Sequence, residues 1–183
     1  MSALGNDEKT HVLYGEDIAT DAIVQGMLRA KTRIDMCLDV EAPILGIKDD
    51  LLKEAKIKAK KKGVKLRYIT EINKDNLSYC RELAQIVELR HLDNIRGNFG
   101  VSDDEYMAIA TIEKEKPITH VIYSNAEQIV LQHQYLFETL WNKAVPAEQK
   151  IREIEEGIEP EFVEVITDGS KAARIIMEFA RSV

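Results

Sequence analysis

The chain has 183 residues and a mass of 20.8 kDa, and 45% of its residues are hydrophobic, which is enough for the core of one medium-sized domain and excludes full disorder. Its 25 Lys and Arg residues against 32 Asp and Glu residues give a formal net charge of −7, which makes the whole chain a poor partner for nucleic acid. No apolar run approaches the roughly 18 to 20 residues of a membrane-spanning helix, and no secretory signal is visible. We therefore expect a cytoplasmic protein that is not inserted into a membrane.

Strand-like and helix-like segments alternate along the first half of the chain. The predicted strands are 10–14, 33–39, 64–70 and 88–92, and the predicted helices are 18–31, 48–63 and 75–87. Pro43 and Gly46 predict a loop between the second strand and the second helix. This order predicts an α/β fold, a mixed sheet with flanking helices.

Period-two alternation over 99–103, 105–113 and 118–124 predicts a closing meander with a turn near Lys116 and Pro117. A helix is predicted over 126–144, and Asn125 with Gln128 resembles a capping box at its start. The first domain is therefore expected to span residues 1–145.

The remainder divides into a predicted linker helix, 146–160, and a tail, 161–183. Pro146 suits the first turn of a helix. An apolar seam of Ala147, Ile151, Ile154 and Ile158 favours either a solvated linker helix or a short coiled coil. Shifted by 151 positions, Val163 falls on Val12 and Asp168 on Asp17, which predicts the truncated start of a second, similar module, with chance similarity as the alternative.

Known chemical motifs are missing from the sequence. There is no triphosphate loop, no dinucleotide fingerprint and no Cys or His pair at metal-binding spacing, so no cofactor and no metal are expected. Cys37 and Cys80 are too few for a disulfide framework and are expected to be reduced and buried.

Seven basic residues follow one another along the second predicted helix and the next strand. They are Lys56, Lys58, Lys60, Lys61, Lys62, Lys65 and Arg67. No aromatic platform accompanies the lysines, so a solvated helix face is favoured over a site for phosphate or an acidic partner.

A polar cluster lies near the predicted strand ends and a glycine turn. Its members are Arg90, His91, Asp93, Arg96, Asn98, Ser102, Asp103 and Asp104. Ligands of α/β sheets bind at strand ends, so Arg96, Asn98 and His91, with Asp39 and Cys37 from the second strand, are predicted to line one pocket for a small polar or anionic ligand. Turn capping and surface ion pairs are the alternative interpretation.

The segment R-G-N-F-G-V-S-D (96–103), followed by a hairpin and I-Y-S-N (122–125), resembles the second part of a phospholipase D-like half-domain. Active members carry H-x-K-x4-D, then a strand and a Ser/Asn turn. The resemblance places Arg96 at the His position, Asn98 at the Lys position and Asp103 at the Asp position, with Ser124 and Asn125 near the turn. Because neither a guanidinium nor an amide is a nucleophile, the resemblance implies a polar pocket that binds without cleaving, and no enzyme activity.

A second resemblance covers most of the chain. It rests on HVLYGEDIATDAI, KTRIDMCLD, KKGVKLRYITEI, RHLDNIRGNFGVSDDEYMA and FETLWNKAVPAEQKIREIEEG, which are similar to the N-terminal sensory region of archaeal signal transduction histidine kinases. That similarity implies an input domain, within a parent kinase of a two-component system, for an unknown small ligand or a protein signal.

Two alternatives remain open. The effector domain of a TrmB-type transcription regulator is also phospholipase D-like, but only about nine residues precede the first strand, too few for a winged helix. A free-standing degenerate hydrolase is the other alternative. We also expect weak homodimerisation through helices in 126–157.

Overall fold

The computed structural model describes residues 8–109 and 118–158, which form eight strands and six helices. The strands are β1 Thr10–Tyr14, β2 Arg33–Cys37, β3 Lys65–Thr70, β4 Glu88–His91, β5 Asn98–Val101, β6 Tyr106–Ile109, β7 His120–Ser124 and β8 Val145–Pro146. The helices are α1 Glu16–Arg29, α2 Ala42–Lys48, α3 Asp50–Lys61, α4 Leu77–Ile86, α5 Glu127–Trp141 and α6 Ala147–Glu156.

All eight strands form one mixed sheet in the order β1-β7-β6-β5-β2-β3-β4-β8. The β2–β3 and β3–β4 pairs are parallel, and the other pairs are antiparallel. We call the edge at which β2, β3 and β4 end the carboxyl edge, and the edge at which they begin the amino edge. The predicted α/β class with a mixed sheet and flanking helices is confirmed.

Helices cover both faces of the sheet, and β3 shows why. Its side chains point alternately to opposite faces, so Leu66 and Tyr68 join the main core beneath α1, α3 and α4, whereas Ile69 joins a second core with Phe137 and Trp141 of α5. Every β3 residue after Lys65 is buried, as expected for a central strand covered on both sides.

Two local predictions are wrong. The predicted loop at Pro43 and Gly46 is the short helix α2, in which Pro43 occupies the first turn, where its missing N–H costs no hydrogen bond. Asn125 does not cap α5, because Ala126 occupies the N-cap position and the Asn125 Oδ1 accepts a hydrogen bond from the Lys9 backbone N–H at 2.6 Å. The turn predicted at Lys116 and Pro117 lies outside the described residues.

The helix predicted after Pro146 is present but is not a solvated linker. Val145 and Pro146 add a short strand beside β4, and Ala147 and Ile151 are buried in the main core. The seam therefore faces the domain's own core, and Ile158, at its end, is 51% exposed. The division of the chain into three parts stays a prediction, and 161–183 lies outside the described residues.

The basic run is solvated only in part. Lys58, Lys60, Lys61, Lys62 and Lys65 are exposed, but Lys56 and Arg67 are buried. Lys56 shares one face of α3 with Leu52, Ala55 and Ala59, the i, i+3, i+4, i+7 spacing of a buried stripe. None of the helices in the described residues is long and apolar enough to cross a membrane.

Candidate functional site

The Asp39 and Asn98 side chains meet at the carboxyl edge, where β2 ends and the neighbouring antiparallel strand β5 begins. The Asn98 Nδ2 donates a hydrogen bond to the Asp39 Oδ2 at 2.5 Å, and the Asn98 Oδ1 accepts one from the Asp39 backbone N–H at 2.8 Å. The Asp39 Oδ1 also accepts hydrogen bonds from the backbone N–H groups of Glu41 and Ala42. The carboxylate therefore ties β5 to the start of α2.

Cys37 is close in register but faces away from this pair. It lies opposite Phe99, so its side chain points to the α5 face, whereas Asn98 lines a cavity on the α1 face. Burial, followed by the nearby charge of Asp39, raises the pKa of the Cys37 thiol to about 12. The thiol is therefore protonated at neutral pH and is a poor nucleophile.

His91 ends β4 at the same edge and is buried. Its Nδ1 accepts a hydrogen bond from the Ile72 backbone N–H at 2.9 Å, and its Nε2 lies 3.0 Å from the Asp93 carboxylate. Because Nδ1 accepts, the proton of the neutral ring is on Nε2. Burial lowers the pKa of His91 although Asp93 opposes the shift, so His91 is a neutral residue that holds the β3–α4 connection.

Arg96 lies in the loop between β4 and β5, ahead of Gly97, whose φ of 96° is in the left-handed region that favours glycine. Its side chain is exposed and forms no hydrogen bond or ion pair with the part of the chain that the structure describes. Arg96 is thus an exposed cation at the carboxyl edge.

The other three predicted site residues, Asp103, Ser124 and Asn125, lie at the amino edge, away from the five residues predicted to line one pocket. Asp103 follows β5 there and accepts hydrogen bonds from the Thr32 hydroxyl and from the backbone N–H groups of Lys31 and Thr32. Burial alone would raise the pKa of Asp103, but these hydrogen bonds lower it. Asp103 therefore caps the turn between α1 and β2.

Ser124 and Asn125 end β7 at the amino edge, where they bond to Thr10 and Lys9 of the first strand region. They lie far from Asn98 because two strands, and not one, separate them from β5 along the chain. A turn after one strand returns to the beginning of β5, but Ser124 and Asn125 come after two strands, β6 and β7, and the sheet register places Ser124 beside Tyr106 at the far end of β5.

An ionic network on the α5 face, in which Asp35 and Arg67 are buried, was missed by sequence reasoning. The guanidinium of Arg67 donates two hydrogen bonds to Asp35, at 2.7 and 2.8 Å, and two to Glu138, at 2.6 and 3.3 Å. It also lies over the rings of Phe137 and Trp141, 5.0 and 5.2 Å from their centroids. Burial opposes the charge, but these hydrogen bonds raise the pKa of Arg67. The network joins β2, β3 and α5.

A cavity between the sheet and helices α1 to α3 was also missed, because its residues come from elements far apart in sequence. It has two adjoining parts, of about 60 and about 50 Å³. Both parts are lined by Ile23, Met27, Met36, Leu38 and Ile109. We call it the methionine-lined cavity. Asn98 lies at the first part, and Lys56 and Tyr68 lie at the second.

The topology matches that of several solved structures. Nuc from Salmonella typhimurium, a phospholipase D family member, superimposes with a TM-score of 0.63 at 15% identity over 76% of this chain and 98% of that chain. NucT from Helicobacter pylori gives a TM-score of 0.60 at 13% identity, covering 76% and 99%. The chain has a phospholipase D-like fold.

The same phospholipase D-like fold is found in part of TrmBL2, an archaeal chromatin protein, with a TM-score of 0.55 at 17% identity. That match covers 79% of this chain but 56% of TrmBL2, so the chain spans about half the length of that protein. No protein-family model and no curated protein matches the chain.

Within the phospholipase D-like fold, the positions of the catalytic His and Lys implied by the motif carry Arg96 and Asn98. A guanidinium stays protonated at neutral pH and an amide is not nucleophilic. Asn98 is moreover hydrogen-bonded to Asp39. At this edge the exposed Arg96 is two residues from Asn98 of the hydrogen-bonded Asp39–Asn98 pair.

Proposed function

We propose that the chain is a non-catalytic, phospholipase D-like input domain of an archaeal-type signal transduction histidine kinase, and that it senses a small polar or anionic ligand, or a protein, at the carboxyl edge. One observation carries the proposal. The positions that the motif assigns to the reactive His and Lys carry Arg96 and Asn98, and Asn98 is hydrogen-bonded to Asp39.

The proposed binding residue is Arg96, and the sheet supplies a physical route from it to α6. Arg96 lies in the loop that follows β4. His91 at the end of β4 pairs with Val145 of β8, and β8 leads directly into α6. A ligand that pulls on the Arg96 loop would therefore act on the strand pair that holds the start of α6. The kinase assignment itself rests on the sequence resemblance.

Hydrolysis and binding are tested on the 183-residue chain. We expect no turnover of bis(p-nitrophenyl) phosphate. In calorimetric titrations with inorganic phosphate, pyrophosphate, citrate and AMP, we expect saturable binding of at least one anion, lost in Arg96→Ala with an unchanged melting temperature. Lys61→Ala, which removes an exposed cation on α3, is the matched control. Turnover that Arg96→Ala abolishes would show an enzyme, and binding retained by Arg96→Ala would refute the site.

The kinase role requires the parent protein. We expect the parent reading frame to contain a phosphoacceptor helix and an ATP-binding core. Its autophosphorylation with labelled ATP should change at least about threefold with the anion identified above, and Arg96→Ala should remove the response while basal autophosphorylation persists. A parent frame without these parts would overturn the kinase assignment and leave a free-standing binding protein.

A second candidate is the effector domain of a TrmB-type transcription regulator, which the structural similarity to TrmBL2 favours. In that case the parent protein would bind duplex DNA in a gel-shift assay, and the anion that binds at Arg96 would change the affinity. DNA binding by the parent together with an absent kinase core would decide for the regulator.

A further inference from the structure

We propose that the methionine-lined cavity binds a small aliphatic carboxylate, with Lys56 and Tyr68 as its polar partners. The part of the cavity that holds Lys56 and Tyr68 is lined by no residue of the Arg96 loop, 92–97, so this inference goes beyond the proposed function.

The walls of the cavity are apolar and adaptable. The five side chains shared by its two parts are all aliphatic or thioether. Met27 and Met36 are unbranched at Cβ and can change rotamer at low cost, which lets a cavity of this kind adjust to a guest. The volumes, about 60 and about 50 Å³, suit a molecule of a few carbon atoms and exclude a nucleotide.

Lys56 supplies a positive charge to the second part of the cavity. The residue is 3% exposed, and its Nζ donates hydrogen bonds to the Gly46 and Leu52 carbonyl oxygens at 2.9 and 3.0 Å. An ammonium has three N–H donors, and Lys56 forms no ion pair within the described part of the chain. Burial lowers the pKa of Lys56 to about 8, although Asp49 opposes the shift, so the amine is largely charged at neutral pH. A buried charge of this kind is stabilised by an anion.

Tyr68 supplies a second donor. Its side chain is fully buried, and its hydroxyl forms no hydrogen bond with the residues that the structure describes. A buried hydroxyl without a partner costs about 1–3 kcal/mol, and an acceptor in the cavity would remove that cost.

A carboxylate with a short alkyl group matches the apolar walls, the Lys56 ammonium and the Tyr68 hydroxyl of the cavity. Its oxygens accept from the Lys56 ammonium and the Tyr68 hydroxyl, and its alkyl group packs on the methionines. A metal cation is disfavoured by the charge of Lys56, and a sugar would leave several hydroxyls unpaired against apolar walls.

The test is calorimetric titration of the chain at pH 7 with butyrate and hexanoate, with 1-butanol and butylamine as probes of the charge. We expect saturable binding of a carboxylate and at least tenfold weaker binding of the alcohol and the amine. Lys56→Met, which removes the ammonium and keeps an unbranched apolar side chain, should weaken carboxylate binding at least tenfold. Tyr68→Phe, which removes one oxygen, should weaken it about three- to tenfold. Lys58→Met, at an exposed position of the same helix, should bind the carboxylate as tightly as the unsubstituted chain does. Arg96→Ala should also bind it with unchanged affinity.

Three results would overturn the proposal. The first is equal binding of alcohol and carboxylate, and the second is unchanged carboxylate binding in a folded Tyr68→Phe variant. The third is no carboxylate binding at millimolar concentration together with a crystal structure in which only ordered water meets the Tyr68 hydroxyl. The Tyr68→Phe variant tests the proposal even if Lys56→Met fails to fold.

Discussion

The side-chain amide of Asn98 both donates to the Asp39 carboxylate, at 2.5 Å, and accepts from the Asp39 backbone N–H, at 2.8 Å. These two residues are 59 positions apart and both are buried. Since the same carboxylate also holds the first turn of α2, the pair couples a central strand to a helix. Asn98 therefore connects two elements of the fold.

Replacing Asn98 by Ala should therefore lower the free energy of unfolding by about 2–3 kcal/mol, because a buried carboxylate loses hydrogen bonds. Asp39→Ala should cost a similar amount. The double variant should cost clearly less than the sum, with a coupling of about 1–2 kcal/mol in urea unfolding. Arg96→Ala, two residues away and exposed, should change stability by less than about 0.5 kcal/mol. Additive single effects would contradict the coupling.

The Arg67 network gives a second stability prediction. Arg67→Met removes the hydrogen-bonding partner of the buried Asp35 carboxylate, to which Arg33 stays 3.7 Å away, and should destabilise by about 3–5 kcal/mol. Lys65→Met, on the same strand, breaks only an exposed ion pair with Glu88 and should cost at most about 1 kcal/mol. If the two variants unfold at the same urea concentration, the network contributes nothing to stability.

The two cysteines report on opening of the core. Both are free and buried, as predicted, and burial raises the pKa of each thiol to about 12, with Asp39 adding to the effect at Cys37. Iodoacetamide at pH 8 should modify neither thiol in the folded chain and both in urea, as measured by intact mass. Rapid single modification of the native chain would show that one thiol is more accessible than the structure indicates.

Lys56 makes the free energy of unfolding depend on pH in the alkaline range. Its pKa is lowered from 10.5 to about 8 in the folded state, so between these values the unfolded chain binds more protons, and this residue's contribution raises stability as pH increases from about 8 to about 10.5. The gain is on the order of 3 kcal/mol at most. The raised thiol pKa values act in the opposite direction. The measurement is therefore the difference in urea unfolding midpoint between the unsubstituted chain and Lys56→Met across this pH range. A difference independent of pH would contradict the shift.

Dimerisation stays a prediction, but the structure changes its location. Ile151, expected in the dimer seam, is buried within the domain, whereas Leu131 and Tyr135 of α5 are 48% and 78% exposed. We therefore expect weak association through α5 that Leu131→Asp abolishes and Leu51→Asp, on the exposed side of α3, leaves intact. Sedimentation from micromolar to millimolar concentration checks this, and a monomer throughout would refute it.

The sequence predicted the fold well because its signals are local. Each strand and helix carries its own periodicity, and the strand ends that bear Asp39 and His91 follow from it. Pairings between distant segments were not accessible in this way. Counting one strand too few placed Ser124 and Asn125 at the wrong edge. Lys56 and Arg67 were grouped with five lysines that are exposed. Their burial depends on the elements that pack on α3 and β3, which local periodicity does not encode.

The edge strand β1 has a consequence for how the chain is made. Thr10 pairs with Ser124 and Tyr14 with His120, so the first strand meets its partner only after more than a hundred further residues have been synthesised. During translation, at about 5–20 residues per second, β1 and the apolar side of α1 therefore stay for several seconds without the partner strand β7. Substitutions at Val12 or Ile122, whose side chains are 46% and 42% exposed in the finished fold, should therefore affect the yield of folded chain in cells more than its measured stability.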